Sequence, residues 1–193
     1  MPDPALLDLP VERASRLVAL ELLEAASRAR ARLDHPGDAE ALHDFRVSTR
    51  RLRSWLRAYA EPLWDSVPRK VARRLRTIAR ATNAARDAEV LLAALRAESD
   101  LAQGREAVGV AWLVERFEAE RREADAHVRR KVVGEFDRLR PGFAKRLRTY
   151  STTHRVDDPG LGVPFAAITG ELVASHAEAL RVRLAAIHKF GDE

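Results

Sequence analysis

The residues best placed to do chemistry lie between Ala41 and Tyr59, in the run ALHDFRVSTRRLRSWLRAY. At about 100° per residue on a helix, His43, Arg46, Arg50, Arg53 and Arg57 fall within an arc of about 80°. Phe45, Leu52, Leu56 and Tyr59 cluster on a separate arc, about 160° round from the cations. One helix therefore carries an apolar face for a core and a ladder of positive charge. Like charges three and four residues apart repel by a few tenths of a kcal/mol per pair in an isolated helix. No acidic residue is interleaved between Arg46 and Arg57 to relieve that repulsion, whereas a purely structural helix would alternate signs. A second ladder follows at once: Arg69, Arg73, Arg76 and Arg80 lie within about 60° of one another, with Val71, Leu75 and Ile78 supplying apolar contacts. Helices joined by a short turn pack antiparallel, which puts the two ladders side by side. Each extends about 15–20 Å at about 1.5 Å per residue, a length suited to a chain of anions rather than one small metabolite. Guanidinium is the fitting head group, because its fork gives two hydrogen bonds to a phosphate without losing charge. The bland alternative is a solvated basic face whose arginines form ion pairs with Asp and Glu on other helices.

Other chemistries are poorly served. Zinc needs three or four ligands, and no His, Asp or Glu sits four residues from His43 on its own face. The neighbours of His43 there are arginines, which repel a cation, and Asp44 points about 100° away. His43 is expected to donate a hydrogen bond to an anion, not to hold a metal. His127, His154, His176 and His188 are scattered without ligand spacing and read as surface or packing residues. Hydrolysis of phosphate chains requires carboxylates for a metal, and the basic block offers only Asp87 nearby. There is no Gly-rich phosphate loop of the Walker type and no arguable Ser-His-Asp arrangement. The chain is not expected to be an enzyme, and no cofactor is implied.

The charge distribution sharpens the same point. All but four of the 34 basic residues are arginine, and the formal net charge is +5. Between Ala41 and Asp87, twelve basic residues stand against Asp44, Glu61, Asp65 and Asp87, an excess of +8. The remaining 22 basic and 25 acidic residues leave the rest of the chain at −3. A near-neutral body with one strongly basic block points to a polyanionic partner. The 193 residues, 46% hydrophobic and 33% charged, are enough for one good-sized globular domain or two small bundles. The absence of cysteine excludes a disulfide scaffold, a thiol nucleophile and thiolate metal sites. No uninterrupted apolar stretch is long enough to span a bilayer, and the start MPDPALLDLP does not read as a secretory signal. A soluble cytoplasmic protein is the expectation.

The elements that must position the ladders are all helices. Ala, Leu, Arg and Glu dominate, and strand-like alternation is nearly absent. Punctuation predicts a first helix from Val11 to Leu33, stopped at His35-Pro36-Gly37, and a second from Ala39 to Ala60, capped by Asp38. A third, capped by Asp65 or Ser66 with Pro68 in its first turn, reaches Ala81, and a fourth runs from Ala84 to Glu98. A long helix follows Gly104 to Val133, then a shorter segment interrupted at Pro141-Gly142. Residues 157–162 read as a linker, and a last amphipathic helix spans Pro164 to Lys189. The expected fold is all-α: an antiparallel four-helix bundle over residues 1–103, followed over 104–193 by further helices that begin a second bundle.

The segment LHDFRVSTRRLRSWLRAY closely resembles the signature of the CHAD family, an α-helical domain named for its histidines. ATNAARDAEVLLAAL resembles a second family segment, a small turn followed by Arg86 and Asp87, with Asn83 where family members usually have Gly. The resemblance is strong over Leu9 to Leu95 and general beyond. It implies two pseudo-symmetric bundles with basic surfaces facing a central groove, binding of inorganic polyphosphate, and a place at polyphosphate granules. By similarity, His43, Arg46, Arg50, Arg51, Arg53 and Arg57 match the signature's basic positions, although the wheel puts Arg51 off the main stripe. Arg69, Arg73, Arg76 and Arg80 match only the general basic character of their segment.

Two rivals stand beside polyphosphate. An Arg-rich helix could track DNA or RNA phosphates, but Phe45 and Tyr59 lie on the apolar arc and Trp55 borders it, where they cannot stack on bases. A structural bundle that binds a granule surface or another protein is the third reading. Finally, HPGD at the end of the first helix is echoed by HKFGD at the end of the last, and no second basic motif follows. The expectation is a fragment of a longer protein, with Ile168, Leu172, Leu180 and Ile187 lacking partners. It should self-associate, be completed by a missing second half, or fold its last helix back on the first bundle.

Overall fold

The structure, a computed structural model, describes residues 4–35, 38, 40–99, 102–149 and 162–189. After a single 3-10 turn at Pro4–Leu6 come α1 (Val11–Arg32), α2 (Ala41–Ala58), α3 (Arg69–Ala81) and α4 (Asn83–Ser99). These are followed by α5 (Arg105–His127), a π turn (Val128–Val132), α6 (Val133–Arg148) and α7 (Phe165–Lys189). No strand occurs among the described residues, and the all-α expectation holds. An isolated bridge between Pro10 and Pro164 is the only extended pairing among them.

The core is built by α1, α2, α3 and α6. On α1 the buried face is mostly small, with Ala14, Ala19, Ala26 and Ala29 around Leu23, so α2 can lie close along it. α2 buries Phe45, Leu52 and Leu56, and α3 buries Val71, Leu75 and Ile78. The fourth wall is α6, whose Phe136, Leu139, Phe143 and Leu147 recur at helical spacing on one stripe. Phe136 meets Phe45 edge-to-face, with ring centroids 5.3 Å apart at 86°. This arrangement differs from a bundle of the first four helices. The core does not divide at residues 103/104, because one hydrophobic cluster joins α1–α3 to Val128, Val132 and α6. α4 and α5 pack chiefly on each other as a hairpin, tied by Arg96 to Glu118 at 2.6 Å, and α5 buries no residue.

Four local expectations are corrected. The chain does not break at Pro141-Gly142: α6 runs through Pro141 to Arg148. Proline removes one backbone donor and frees the carbonyl four residues back, here at exposed Asp137, where water can satisfy it. Core contacts at Phe136 and Leu139 on one side and Phe143 on the other hold the helix through that point. Neither Asp65 nor Ser66 caps α3. The preceding turn is itself hydrogen-bonded from Leu63 N–H to Tyr59 C=O and Val67 N–H to Leu63 C=O. Ser66 is buried within that turn, and Pro68 takes the position before α3. Asn83 needs no left-handed backbone, since positive φ among the described residues occurs only at Gly104 and Gly162. The chain turns instead at Thr82, whose hydroxyl donates to Ala79 C=O at 2.8 Å. Nor does Asp38 cap α2: no side-chain capping bond forms at that helix start, Ala41 N–H donates to the Asp38 C=O at 3.4 Å, and the Asp38 carboxylate is held by Arg32. The linker expected over residues 157–162 and the echo at Gly191-Asp192 lie outside the described residues, Gly162 excepted.

The start of α7 is seated by main chain and rings together. Phe165 N–H donates to Leu9 C=O at 2.9 Å and Ala166 N–H to Leu7 C=O at 3.0 Å. Phe165 stacks at a tilt on Tyr59 and Trp55, and the Tyr59 and Thr169 hydroxyls are 2.9 Å apart. Trp55 Nε1–H donates to Ser15 C=O at 2.9 Å, locking α2 to α1.

Candidate functional site

The ladders follow from which faces α2 and α3 bury. On α2, Ala41, Phe45, Thr49, Leu52 and Leu56 are buried. His43, Arg46, Arg50, Arg53 and Arg57 then lie on a flank turned roughly 80–160° from that face. On α3 the buried face is Val71, Leu75 and Ile78, and Arg69, Arg73, Arg76 and Arg80 occupy the opposite, exposed side. The Tyr59–Pro68 connection returns α3 alongside α2, so the ladders run antiparallel. They converge on Arg53, whose pKa is pushed below the usual arginine value by burial and by the charges of Arg76, Arg57 and Arg80.

Exposure grades across this face. Arg50, Arg57 and the four α3 arginines are exposed, whereas His43, Arg46 and Arg53 are half-buried. Arg51 is exposed, yet it lies about 120° on the far side of the α2 core stripe and does not join the ladder. Arg86 side-chain placement lies outside the description, and Asp87 is exposed near the start of α4.

The ion pairs are more telling than the positions. Arg30 binds Asp137 at 2.7 Å and also Asp34, and Arg32 binds Asp38 at 2.7 Å and also Asp44. Arg96, Arg138 and Arg181 hold carboxylates at 2.6–2.8 Å. Among the described residues, Arg50, Arg53, Arg57, Arg69, Arg73, Arg76 and Arg80 hold none. The bland alternative required such pairs. Asp44, the one carboxylate on α2, is taken up by Arg32 from α1, so it does not neutralise the ladder beside it.

That shielding role of Arg32 was not visible in the sequence, because it depends on how α1 is juxtaposed with α2. Nor was the contribution of the π turn. Arg129, Arg130 and Lys131 come about 50 residues after α3 in sequence, but their turn packs against it and gives Val128 and Val132 to the shared core. Among the described residues, no three His, Cys, Asp or Glu side chains are grouped to hold a metal ion. No described helix is long and apolar enough to cross a membrane.

A family model described as CHAD domain matches residues 17–193. No curated protein and no solved structure matches the chain.

Proposed function

The chain belongs to the CHAD domain family, and from that premise we propose that it binds inorganic polyphosphate, without catalysis, along the paired ladders of α2 and α3. The observation that carries this reading is the set of seven arginines, Arg50, Arg53, Arg57, Arg69, Arg73, Arg76 and Arg80, held together on one face with no ion-paired carboxylate among the described residues. Such a face is held in repulsion until an anion arrives. A phosphate chain gives each guanidinium a partner and supplies at every unit the same acceptor geometry. His43 and Arg46 extend the ladder toward the start of α2. Binding rather than hydrolysis fits this face, because Asp44, the one carboxylate on α2, is engaged by Arg32. In the cell this role places the protein in the cytoplasm, at polyphosphate granules.

One observation favours nucleic acid as a second reading. Trp64 is 65% exposed in the turn that joins the two ladders, where a base could stack. The aromatics of α2 do not help, since Phe45 and Tyr59 are buried and Trp55 is half-buried in the core. A competition titration of polyphosphate against single-stranded DNA and RNA separates the readings. If all seven arginines are engaged, log K should fall with log salt at a slope of about −5 to −6, by analogy with other polyanions. Polyphosphate should displace nucleic acid at matched phosphate concentration, and Trp64→Ala should leave polyphosphate affinity unchanged. Preferential retention of nucleic acid, lost on Trp64→Ala, would favour the second reading.

A further inference from the structure

The two basic helices repeat one another in sequence. RRLRSWLRA over residues 50–58 of α2 returns as RRLRTIARA over residues 73–81 of α3, identical at six positions and with a hydroxyl in both copies at a seventh. The copies are also alike in burial. Leu52 and Leu75 are buried, while Ser54 and Thr77 are exposed, together with Arg50, Arg51 and Arg57 in one copy and Arg73, Arg74 and Arg80 in the other. On a helix the neighbours of a side chain are those three and four residues away. For Ser54 these are Arg50, Arg51, Arg57 and Ala58, and for Thr77 they are Arg73, Arg74, Arg80 and Ala81. Each hydroxyl therefore lies within about 60° of three arginines, with an alanine leaving the fourth side open.

Elsewhere on its helices this protein puts a carboxylate three or four residues from an exposed arginine. Glu120 pairs with Arg116 in this way, Glu118 with Arg122, Glu135 with Arg138 and Glu178 with Arg181. Glutamate is also a better helix former than serine or threonine. Both copies nevertheless set a small neutral hydroxyl among their arginines, and none of those six arginines holds a carboxylate among the described residues. Thr77 Oγ1 donates only to Arg73 C=O within its own helix, at 3.2 Å. Such a hydroxyl can turn to donate to an outside anion and is too small to fill the space itself. Side chains lean toward the start of their helix, which carries each hydroxyl over the preceding arginine pair and brings Arg57 or Arg80 back toward it. Arg53 lies within electrostatic reach of Arg76 and Arg80 across the helix pair, so Ser54 and Thr77 stand at the same level on antiparallel helices. Packed helix axes are about 8–10 Å apart, which puts the two outward hydroxyls roughly 10–15 Å from each other. One phosphate chain can reach both.

We propose that Ser54 and Thr77 are the centres of two equivalent phosphate seats, in which the hydroxyl donates to a phosphate oxygen whose charge three arginines neutralise. The inference rests on the polyphosphate reading and adds Ser54, Thr77 and Arg74 to the contacts; it also gives Arg51, which lies off the ladder, a ligand to hold. The test is calorimetric titration of long-chain polyphosphate into the full chain over a range of salt. Ser54→Ala and Thr77→Val should each weaken binding about three- to fivefold, and together about tenfold or more. Because no charge is lost, the factor should be the same at every salt concentration. Arg51→Gln or Arg74→Gln should instead reduce the salt slope by about 1. Ser54→Thr and Thr77→Ser should bind like the parent, and so should Ser48→Ala, which removes a half-buried hydroxyl outside the seats. Ser54→Asp supplies the missing carboxylate, so it should cost more affinity than Ser54→Ala while raising Tm, a pair of effects that lost folding cannot mimic. Parent-like affinity in the Ser54→Ala, Thr77→Val double variant would overturn the seats and leave the ladders standing. A loss confined to one of the two positions would overturn their equivalence. If the parent does not bind polyphosphate, the seats and the reading beneath them fall together.

Discussion

Replacing Arg53 with Gln should weaken ligand binding and stabilise the empty protein at the same time. Arg53 is half-buried and surrounded by Arg57, Arg76 and Arg80, with no carboxylate among its described partners. Gln keeps most of the aliphatic stem and removes only the charge, so lost packing is small. Relief of three like-charge contacts at a few tenths of a kcal/mol each adds roughly 0.5–1 kcal/mol to the stability of the ligand-free state. For a domain of this size that corresponds to a rise in Tm of roughly 1–4 °C. Binding moves the other way. A charge-assisted hydrogen bond of about 1.5–3 kcal/mol, reduced by solvent to about 1 kcal/mol on a partly exposed face, is about a fivefold loss of polyphosphate affinity. Differential scanning calorimetry with and without saturating polyphosphate reads both effects, because a ligand bound only to the native state raises Tm with the logarithm of its affinity. The variant should melt higher than the parent without ligand and gain less when ligand is added. A variant that melts several degrees lower and binds as tightly as the parent would show that Arg53 is a packing residue, and the reasoning would fail.

Further outcomes follow from the same structure. Arg32→Ala should weaken polyphosphate binding about two- to threefold without touching the ladder, because Asp44 is released beside it; Arg32→Ala combined with Asp44→Asn should restore affinity in the same titration. The hydrogen-bonded Arg32 guanidinium holds the Asp38 carboxyl below its ordinary value of 3.8, so its contribution to stability is present above that value and lost as pH falls through the depressed one. Asp38→Asn should accordingly lower Tm at pH 7, with the gap to the parent closing in melts run at acid pH. Phe136→Ala should cost about 3–5 kcal/mol in urea unfolding, since the ring is fully buried and edge-on to Phe45.

Much of the site was legible in the sequence because ladder and core share one helical period. The buried set on α2, Phe45, Leu52, Leu56 and Tyr59, is the apolar arc of the wheel, and that fixes where the arginines between them must lie. Helix limits at Val11, Ala81 and Phe165 fell within a residue or two of the punctuation that predicts them. Pairings that span long stretches of chain were not legible. The choice of α6 over α4 as the fourth wall depends on Phe136 meeting Phe45, and the apolar residues of α4 give no sign locally that, among its described side chains, only Leu92 will be buried. Pro141 misled because a proline signals a break only where the freed carbonyl has no solvent. Of the four apolar residues of α7 expected to lack partners, Ile168 and Leu172 pack on the core and Leu180 is exposed, while the side chain of Ile187 lies outside the description. The sequence carried the amphipathicity of that helix but not which stripe would be covered.

The central claim is that polyphosphate lies along the arginine ladders, and replacing Arg46, Arg50, Arg53 and Arg57 together tests it most directly. The variant, each position changed to Gln, should retain the helical circular dichroism of the parent and melt no lower than it, since none of the four side chains is buried in the core and their mutual repulsion is relieved. Titrated with long-chain polyphosphate at near-physiological salt, it should show no measurable binding where the parent saturates. A folded variant that binds polyphosphate as tightly as the parent would contradict the account and place the ligand elsewhere on the molecule.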